Sequence, residues 1–320
     1  MNIFEYILGW CSGRKADIVS DGDWDGVVGS AILYRELAGR GVVVGGVDFP
    51  PPYRVPELEL GDCIIVELSP SRGYRVVGEN LLIDHHGFVG VKRVFPDGEE
   101  VLYEAGRGFS SVAELIAFIM DFNVEEEWRR ILDAVNLIDE GRSREDSFAW
   151  MLHSAYLYNI EDTGFRRRLF ELLIGERFTE LFEVCRRESA GYERARGRVS
   201  EIVARAVRVG KGVVFTWYLN NVKDERVVFR EAMFELEKNY DLIIVGSVRD
   251  GKVYRLHLGS MSGRVDSSIV AEKIAEELRK KGFKVAAGGR RNAAGVQILS
   301  MAKPSLDELS EMLKILSVNI

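Results

Sequence analysis

The sequence has few cysteines, no excess of basic residues and no long apolar run. Cys11, Cys63 and Cys185 are far apart and form no C-x-x-C pair, which excludes a disulfide framework and a structural zinc site. The formal net charge of -7 argues against a protein that coats nucleic acid through bulk electrostatics, but it allows a local groove. No apolar run approaches the roughly 20 residues that a membrane helix needs. We therefore expect a cytoplasmic protein with no membrane partner.

The order of apolar patterns predicts two α/β domains in this chain of 320 residues. Up to about residue 150, apolar runs typical of buried parallel strands alternate with helical periodicity, which predicts a doubly wound, mostly parallel sheet. Only helical patterns follow, and then strands, helices and a glycine-rich loop. We expect a first domain over 1–185, a helical connector over 186–208 and a smaller α/β domain over 209–320.

Acidic and imidazole side chains stand at the ends of predicted strands and of one helix. Three of the aspartates crowd into SDGDWDG directly after an apolar strand, where their mutual repulsion requires compensation. The carboxyl ends of neighbouring strands meet in one crevice of an open α/β sheet, so these side chains can converge there. The residues of this set are Asp21, Asp23, Asp25, Glu67, Asp84, His85, His86, Asp139 and Glu140.

Carboxylates with imidazoles suit a hard to intermediate divalent ion, which predicts manganese, with magnesium as the alternative. The carboxylates outnumber the needs of one ion. We therefore predict two metal ions roughly 3.5–4 Å apart, an arrangement that clamps a phosphoryl group and activates water. A calcium loop is excluded because Ile32 stands where an EF-hand needs glutamate. A solvated turn remains the alternative for the aspartate triplet alone.

Five motifs in order resemble the DHH phosphoesterase superfamily with its C-terminal DHH-associated domain. They span nearly the whole chain and read SDGDWDG, IDHHG, GFSSVAEL, NLIDEG and AAGGRRNAAG. The D-x-D-x-D-G form is similar to that of RecJ-type single-strand exonucleases, whereas the length is closer to nano-RNases and cyclic-dinucleotide phosphodiesterases. The resemblance implies a metal-dependent hydrolase that degrades single-stranded DNA, RNA or short oligonucleotides from an end.

The resemblance also implies roles for the motif residues of the first domain. The metal ligands would be Asp21, Asp23, Asp25, Glu67, His85 and Asp139. Glu67 would bridge the two ions, and Asp84 would support His85. His86 would face the scissile phosphate as a donor or proton carrier.

The remaining motif residues would contact substrate. Ser110 and Ser111, at a helix start, would touch phosphate or cap the helix, and capping is the preferred interpretation. In the second domain, backbone amides and guanidinium groups would hold the phosphates of the strand. The residues of this second set are Gly288, Gly289, Arg290, Arg291, Asn292 and Ser260.

Three positions depart from the family pattern. Glu67 replaces aspartate and adds a methylene to a residue that must reach two cations. Arg290 replaces a histidine; it can grip phosphate but cannot carry protons at neutral pH. Gly259 occupies the place of a substrate-binding arginine and leaves Ser260 beside it. These changes imply altered substrate contacts, and weak activity is an open alternative.

Several alternatives stay open at this point. Asp162 rivals Asp139 as the last ligand. The substrate alternatives are nanoRNA, cyclic dinucleotides and 3′-phosphoadenosine phosphate. A catalytically weakened scaffold for replication or repair proteins is the alternative from another class, and a homodimer is compatible with each. Arg166–Arg168 are expected on a solvated helix face, and the connector arginines either pair along their helix or line a groove.

Overall fold

The computed structural model describes residues 2–317. The chain divides into two compact units, the first ending at Ala190 and the second beginning at Gly191. This boundary lies inside the predicted connector. No helix among the described residues is both long and apolar enough to cross a membrane.

The first unit alternates strands and helices before it becomes entirely helical. Its strands are β1 (Ala16–Ser20), β2 (Val44–Asp48), β3 (Glu59–Leu60), β4 (Cys63–Val66), β5 (Arg75–Val76), β6 (Asn80–Asp84), β7 (Gly90–Phe95) and β8 (Gly98–Glu104). Its helices are α1 (Ile3–Cys11), α2 (Trp24–Gly39), α3 (Val112–Ile119), α4 (Glu126–Asp139), α5 (Ser147–Tyr158), α6 (Thr163–Ile174) and α7 (Phe178–Arg196), which continues past Ala190. Short 3-10 turns cover Val55–Glu57, Pro70–Arg72 and Ser143–Glu145.

The main sheet of the first unit has the strand order β2-β1-β4-β6-β7-β8. β2, β1, β4 and β6 are parallel, whereas β7 and β8 form an antiparallel edge. This confirms the predicted α/β fold with a mostly parallel sheet. β7 and β8 were not predicted from the sequence. β8 is largely exposed and has no apolar run, and Lys92 and Arg93 interrupt the apolar residues of β7. β3 and β5 form a separate parallel pair.

Both faces of the main sheet are covered. Along β4, Ile64 and Val66 belong to a large core shared with α2 and α3, whereas Cys63 and Ile65 belong to a smaller core under residues 55–76. Side chains alternate between the faces of a strand, so a strand covered on both sides consists almost entirely of apolar residues. This explains why the parallel strands are recognisable in the sequence.

The second unit contains one sheet with strand order β13-β14-β12-β11-β10-β9. Its elements are α8 (Val199–Ala204), β9 (Val207–Gly210), β10 (Val213–Leu219), α9 (Lys223–Glu237), β11 (Leu242–Arg249), β12 (Lys252–Gly259), α10 (Ser267–Lys280), β13 (Val285–Arg290), β14 (Ala293–Ile298) and α11 (Leu306–Ser317). β10 and β11 are parallel, and the other pairings are antiparallel. Side chains such as Phe215, Leu256 and Val296 form its own core with α10 and α11.

Candidate metal centre

Three neighbouring strands bring polar side chains to one edge of the main sheet. Asp21, Glu67 and His85 each directly follow the last residue of a parallel strand, β1, β4 and β6 respectively. The carboxyl ends of adjacent parallel strands lie at the same edge, so these side chains converge. Asp139, the last residue of α4, joins them from a helix. The convergence that the sequence predicted is therefore present.

His85 lies at the centre of the cluster. Its Nε2 is 3.3 Å from Oδ2 of Asp25, 3.7 Å from Oε1 of Glu67 and 3.5 Å from Oδ2 of Asp139. This nitrogen is buried and has no hydrogen-bond partner among the described residues. Burial alone would lower the pKa of His85, but the nearby carboxylate of Asp25 raises it above its usual value. A ring nitrogen that faces three carboxylates is well placed to bind a cation with them.

Two groups of potential ligand atoms in the described residues lie close enough together to hold a metal ion. One group comprises Glu67, His85, His86 and Asp139, and the other comprises Asp21, Asp23 and Glu67. Within each group, the ligand atoms lie within 4.8 Å of one another. Glu67 belongs to both groups, and its Oε2 is buried without a hydrogen-bond partner in the described part of the chain.

Asp25 has a different environment from the other acids. It is buried, and its carboxylate accepts hydrogen bonds from the backbone N–H groups of Val112 and Ala113, at 2.7 and 2.8 Å. These donors belong to the first turn of α3, where unpaired N–H groups attract negative charge. Asp25 is in neither ligand group of the described residues, although it contacts His85. It connects α2 and α3 behind the cluster.

Two glycines allow residues 21–26, here called the acidic loop, to pack closely. Gly22 has a φ of +79°, and a Cβ there would lie 2.8 Å from Cβ of Phe49. At Gly26, a Cβ would lie 2.1 Å from Oγ of Ser20 and 2.8 Å from Oδ1 of Asp21. Asp23 caps α2 by accepting a hydrogen bond from N–H of Gly26 at 3.0 Å. The D-G-D-x-D-G pattern thus combines a helix cap with tight backbone turns.

Glu67 adopts a left-handed backbone conformation, with a φ of +58°. This region is unfavourable for a residue other than glycine, and asparagine and aspartate tolerate it better than glutamate. Its N–H donates to the carbonyl of Ile83 at 2.9 Å, which keeps it attached to β6. Strain of this kind persists only where the surroundings enforce it, and it concentrates at functional sites.

The acids of the cluster hold their protons more strongly than isolated carboxyls. Burial, followed by the charge of Asp23, raises the pKa of Asp21 well above its usual value. Burial and the charge of Asp25 raise the pKa of Asp23 to about 6. The pKa values of Glu67 and Asp139 are also raised, first by burial and then by neighbouring aspartates. Such shifts indicate uncompensated negative charge, which a bound cation would relieve.

Asp84 and His86 form a separate pair beside the cluster. Oδ1 of Asp84 accepts the backbone N–H of His86 at 2.9 Å and lies 3.5 Å from its Nδ1. The His86 side chain is 61% exposed, and its Nδ1 is also 3.5 Å from Oε1 of Glu67. Asp84 therefore contacts His86, whereas the ring of His85 bonds to the backbone of Phe109.

The helix-start residues act mainly as caps. Ser111 caps α3 by accepting a hydrogen bond from N–H of Glu114 at 3.1 Å. The Ser110 hydroxyl donates to Oε1 of Glu140 at 2.6 Å. Asp162, the rival of Asp139, caps α6 by accepting from N–H of Phe165 at 3.1 Å. Of the two rivals, only Asp139 belongs to a ligand group of the described residues.

Of the arginines expected on helix surfaces, one is buried and others form ion pairs along their helices. Arg166 is only 2% exposed, which corrects the expectation of a solvated side chain. Its Nη2 donates to the carbonyl of Ile160 at 2.6 Å, and its Cδ would lie 3.0 Å from a Cβ at Gly22. It is buried because α6 packs against α2 and the acidic loop. Among the connector arginines, Arg196 and Arg198 pair with glutamates three residues away.

His153 and Tyr156 line a cavity beside the acids, and neither was predicted from the sequence as a site residue. Both lie on α5, three residues apart and therefore on the same face of the helix. The rarity of histidine could have drawn attention to His153, since it is one of only four histidines in the chain. Its neighbours in sequence carry no strand-end pattern, so nothing connected it to the metal motifs.

In the second unit, the glycine-rich motif forms a β-hairpin. Gly288 pairs with Gly295 and Arg290 with Ala293, and Arg291 and Asn292 form the turn. At Gly289, with a φ of +146°, a Cβ would lie 2.4 Å from Cα of Ala294. Only glycine fits such a close approach of two strands.

Ser260 lies next to this turn. Its N–H donates to the carbonyl of Asn292 at 3.0 Å, and its hydroxyl is buried without a partner in the described residues. The guanidinium of Arg291 donates to the carbonyl of Gly263 at 3.1–3.2 Å, whereas the side chain of Arg290 is exposed. The fold thus brings the predicted substrate residues of this unit together.

Comparison with known proteins identifies the fold. No family model and no curated protein matches this chain. It is similar to RecJ from Thermus thermophilus in complex with Mn2+, with a TM-score of 0.59 and 15% identity over 100% of this chain and 55% of that chain. It is also similar to exonuclease RecJ bound to manganese, with a TM-score of 0.62 and 15% identity over 100% and 95% of the two chains.

A third similar structure is the DHH domain of a protein described as a member of a family of ribosomal proteins. Its TM-score is 0.52, with 13% identity over 97% of this chain and 87% of that chain. The chain thus has the DHH/RecJ-like fold, as the motifs predicted. It spans about half of the Thermus RecJ chain.

Proposed function

We propose that the protein is a metal-dependent phosphodiesterase that acts as a RecJ-like exonuclease on single-stranded DNA or RNA. The observation that carries this proposal is the position of Glu67, which belongs to two adjacent groups of metal-binding atoms. A carboxylate shared by two ions is the arrangement used in two-metal hydrolysis of phosphate esters. The fold shared with manganese-bound RecJ structures supports the same activity.

The donors fit two divalent ions, manganese or magnesium. They are mostly carboxylate oxygens with one or two imidazoles, and two of the atoms, Nε2 of His85 and Oε2 of Glu67, are buried without a partner in the described chain. One ion would be held by Glu67, His85, His86 and Asp139, and the other by Asp21, Asp23 and Glu67. When bound, such ions supply an activated water and neutralise negative charge on the phosphate.

The protein's own groups prepare the site for this chemistry. Asp25 contacts Nε2 of His85, and its oxygens fix the start of α3. Asp84 orients His86, whose exposed side chain can donate a hydrogen bond to a phosphate oxygen of the substrate. In the second unit, the exposed Arg290 can form two parallel hydrogen bonds to a phosphate of a single-stranded nucleic acid.

A nuclease assay tests the proposal. A single-stranded 20-mer, labelled at the 5′ or the 3′ end, is incubated with Mn2+ and the wild type, Asp139→Asn, His85→Ala or Asp133→Asn. Asp133 is exposed on the same helix as Asp139 and serves as the matched control. We expect both site variants to lose roughly 100-fold or more of the rate, whereas Asp133→Asn stays near wild type. The end that shortens gives the polarity, and a circular strand should resist cleavage.

The same assay separates the alternatives. Faster hydrolysis of dinucleotides or cyclic dinucleotides than of the 20-mer would replace the proposal with a small-molecule phosphodiesterase. A wild-type protein that binds the strand and the metal without hydrolysing any substrate would support the scaffold instead.

A further inference from the structure

A cavity of about 170 Å³ lies beside the metal centre, within the first unit. Asp23, Asp25 and Asp139 line one part of it, so it borders both groups of metal-binding atoms. Trp24 and Ile138 line another part. A substrate held at the metal centre would extend into this space.

His153 brings a fixed imidazole to this cavity. Its Nδ1 is 2.7 Å from Oγ of Ser143, a buried residue, so one ring nitrogen is already engaged. Nε2 has no hydrogen-bond partner in the described part of the chain. Burial, followed by the charge of Arg144, lowers the pKa of His153, which keeps the ring neutral at pH 7. A neutral imidazole held on one side leaves the other nitrogen for a ligand.

The lining of the cavity indicates the chemistry of that ligand. Three carboxylates border it, and no lysine or arginine is among its described lining residues, so the lining has no cationic side chain to pair with an anionic group. Tyr156 and Ile138 offer apolar surface, and His153 offers a hydrogen bond. Few polar groups on an apolar wall are typical of sites for neutral ring-containing ligands. A nucleoside has this combination of a flat ring and polar edges.

We propose that this cavity binds the terminal nucleoside of a nucleotide chain and that His153 hydrogen-bonds to it through Nε2. His153 is then a specificity-determining residue that contacts substrate without binding metal. Ser143 is a positioning residue that acts through the imidazole. This inference rests on the proposed function, because that function places the scissile phosphate at the adjacent metal centre.

The test combines a protein change with a substrate change. The wild type, His153→Ala, His153→Gln and Ser143→Ala act on a 20-mer with a natural terminal nucleoside or with a three-carbon spacer in its place. Met151→Ala, half-buried on the same helix and absent from the cavity lining, is the control. We expect the spacer to lower kcat/KM of the wild type by roughly 10- to 100-fold, and His153→Ala to do the same on the natural strand.

The losses in kcat/KM caused by His153→Ala and by the spacer should not multiply, because the two changes remove the two partners of one contact. His153→Ala should therefore cleave the spacer strand about as fast as the wild type does. His153→Gln should recover part of the loss, and Ser143→Ala should lose less than His153→Ala. Mn2+ affinity, measured by electron paramagnetic resonance, should be unchanged in every variant.

Two results would overturn this inference. Penalties that multiply would show that His153 does not contact the terminal nucleoside, and a large loss of Mn2+ affinity in His153→Ala would make it a metal ligand. Binding of both strands in Ca2+, measured by fluorescence anisotropy with the spacer at either end, repeats the comparison without cleavage. If the wild type binds but does not cleave in Mn2+, the proposed function fails, and these Kd values still decide the inference.

Discussion

Glu67 combines a left-handed backbone conformation with a buried carboxylate, and both properties are unfavourable in the metal-free protein. Its left-handed backbone costs on the order of 1–3 kcal/mol, and its buried carboxylate lies among other acids. Burial and the charge of Asp23 raise its pKa, so in the metal-free protein the charged form is disfavoured. We interpret the conformation and burial of Glu67 as features that lower the stability of the metal-free protein and place the carboxylate within reach of two cations.

Replacing Glu67 with glutamine should separate stability from metal binding. The amide keeps the shape of the side chain and is neutral at every pH, whereas the wild-type carboxylate must take up a proton when the metal-free protein folds. Glu67→Gln should therefore melt at a higher temperature than wild type in EDTA at neutral pH. Its Mn2+ affinity should fall by more than about tenfold. Thermal unfolding in EDTA and metal titration measure the two effects. A variant that melts lower in EDTA and keeps wild-type affinity would contradict this interpretation.

Asp23 should make the metal-free protein less stable at neutral pH. Its pKa in the fold, about 6, lies above the ordinary value, so the protonated form is favoured by folding. The associated stability is fully present below about pH 4 and is lost as the pH rises through 6. Relative to Asp23→Asn, the unfolding free energy of the wild type should therefore fall by on the order of 1–3 kcal/mol between about pH 4 and pH 7.5.

Urea unfolding in EDTA across this pH range, with both proteins side by side, measures the difference. A free-energy difference that does not change with pH would show that Asp23 titrates normally in the fold. With saturating Mn2+ the dependence should disappear, because the ion keeps the carboxylate deprotonated.

α2 is the element that holds the site together. The acidic loop leads directly into its first turn, and Asp25 in that turn binds the N-terminus of α3. Trp24 is fully buried, and its Nε1 donates to the carbonyl of Leu152 in α5 at 2.7 Å. This hydrogen bond connects α2, which follows the acidic loop, to α5, which contains His153.

Replacing Trp24 with phenylalanine tests the contribution of this hydrogen bond to stability. The aromatic character is conserved, but the buried carbonyl of Leu152 loses its donor, which should cost about 1–3 kcal/mol of unfolding free energy. Urea unfolding measures the loss, with Tyr53→Phe at an exposed position as the control. Equal stability of the two variants would mean that water or another group replaces the indole donor.

The site was predictable from sequence where it depends on strand ends. A buried parallel strand has an apolar pattern, and the residue after it lies at the carboxyl edge of the sheet, so Asp21, Glu67 and His85 could be placed together. His153 and Arg166 could not, because their positions depend on how α5 and α6 pack. No local pattern specifies that packing, and the same holds for the polar edge strand β8.

The two units each have a separate hydrophobic core, and all the predicted metal ligands belong to the first. Unfolding of the full chain should therefore show two transitions, since separate cores need not melt together. Mn2+ at about 100 times its Kd should stabilise the first unit by about 2.7 kcal/mol and leave the other transition in place. Differential scanning calorimetry with Mn2+ or EDTA measures this. A shift of both transitions would contradict it.

We propose that Glu67 joins two metal-binding groups at the edge of the main sheet. Anomalous diffraction from a crystal grown with manganese chloride tests it most directly. The predicted result is two manganese peaks, about 3.5–4 Å apart, on either side of the Glu67 carboxylate. The claim would be contradicted by an electron-density map without manganese peaks at Glu67, in which Asp23 and Asp139 point away from each other.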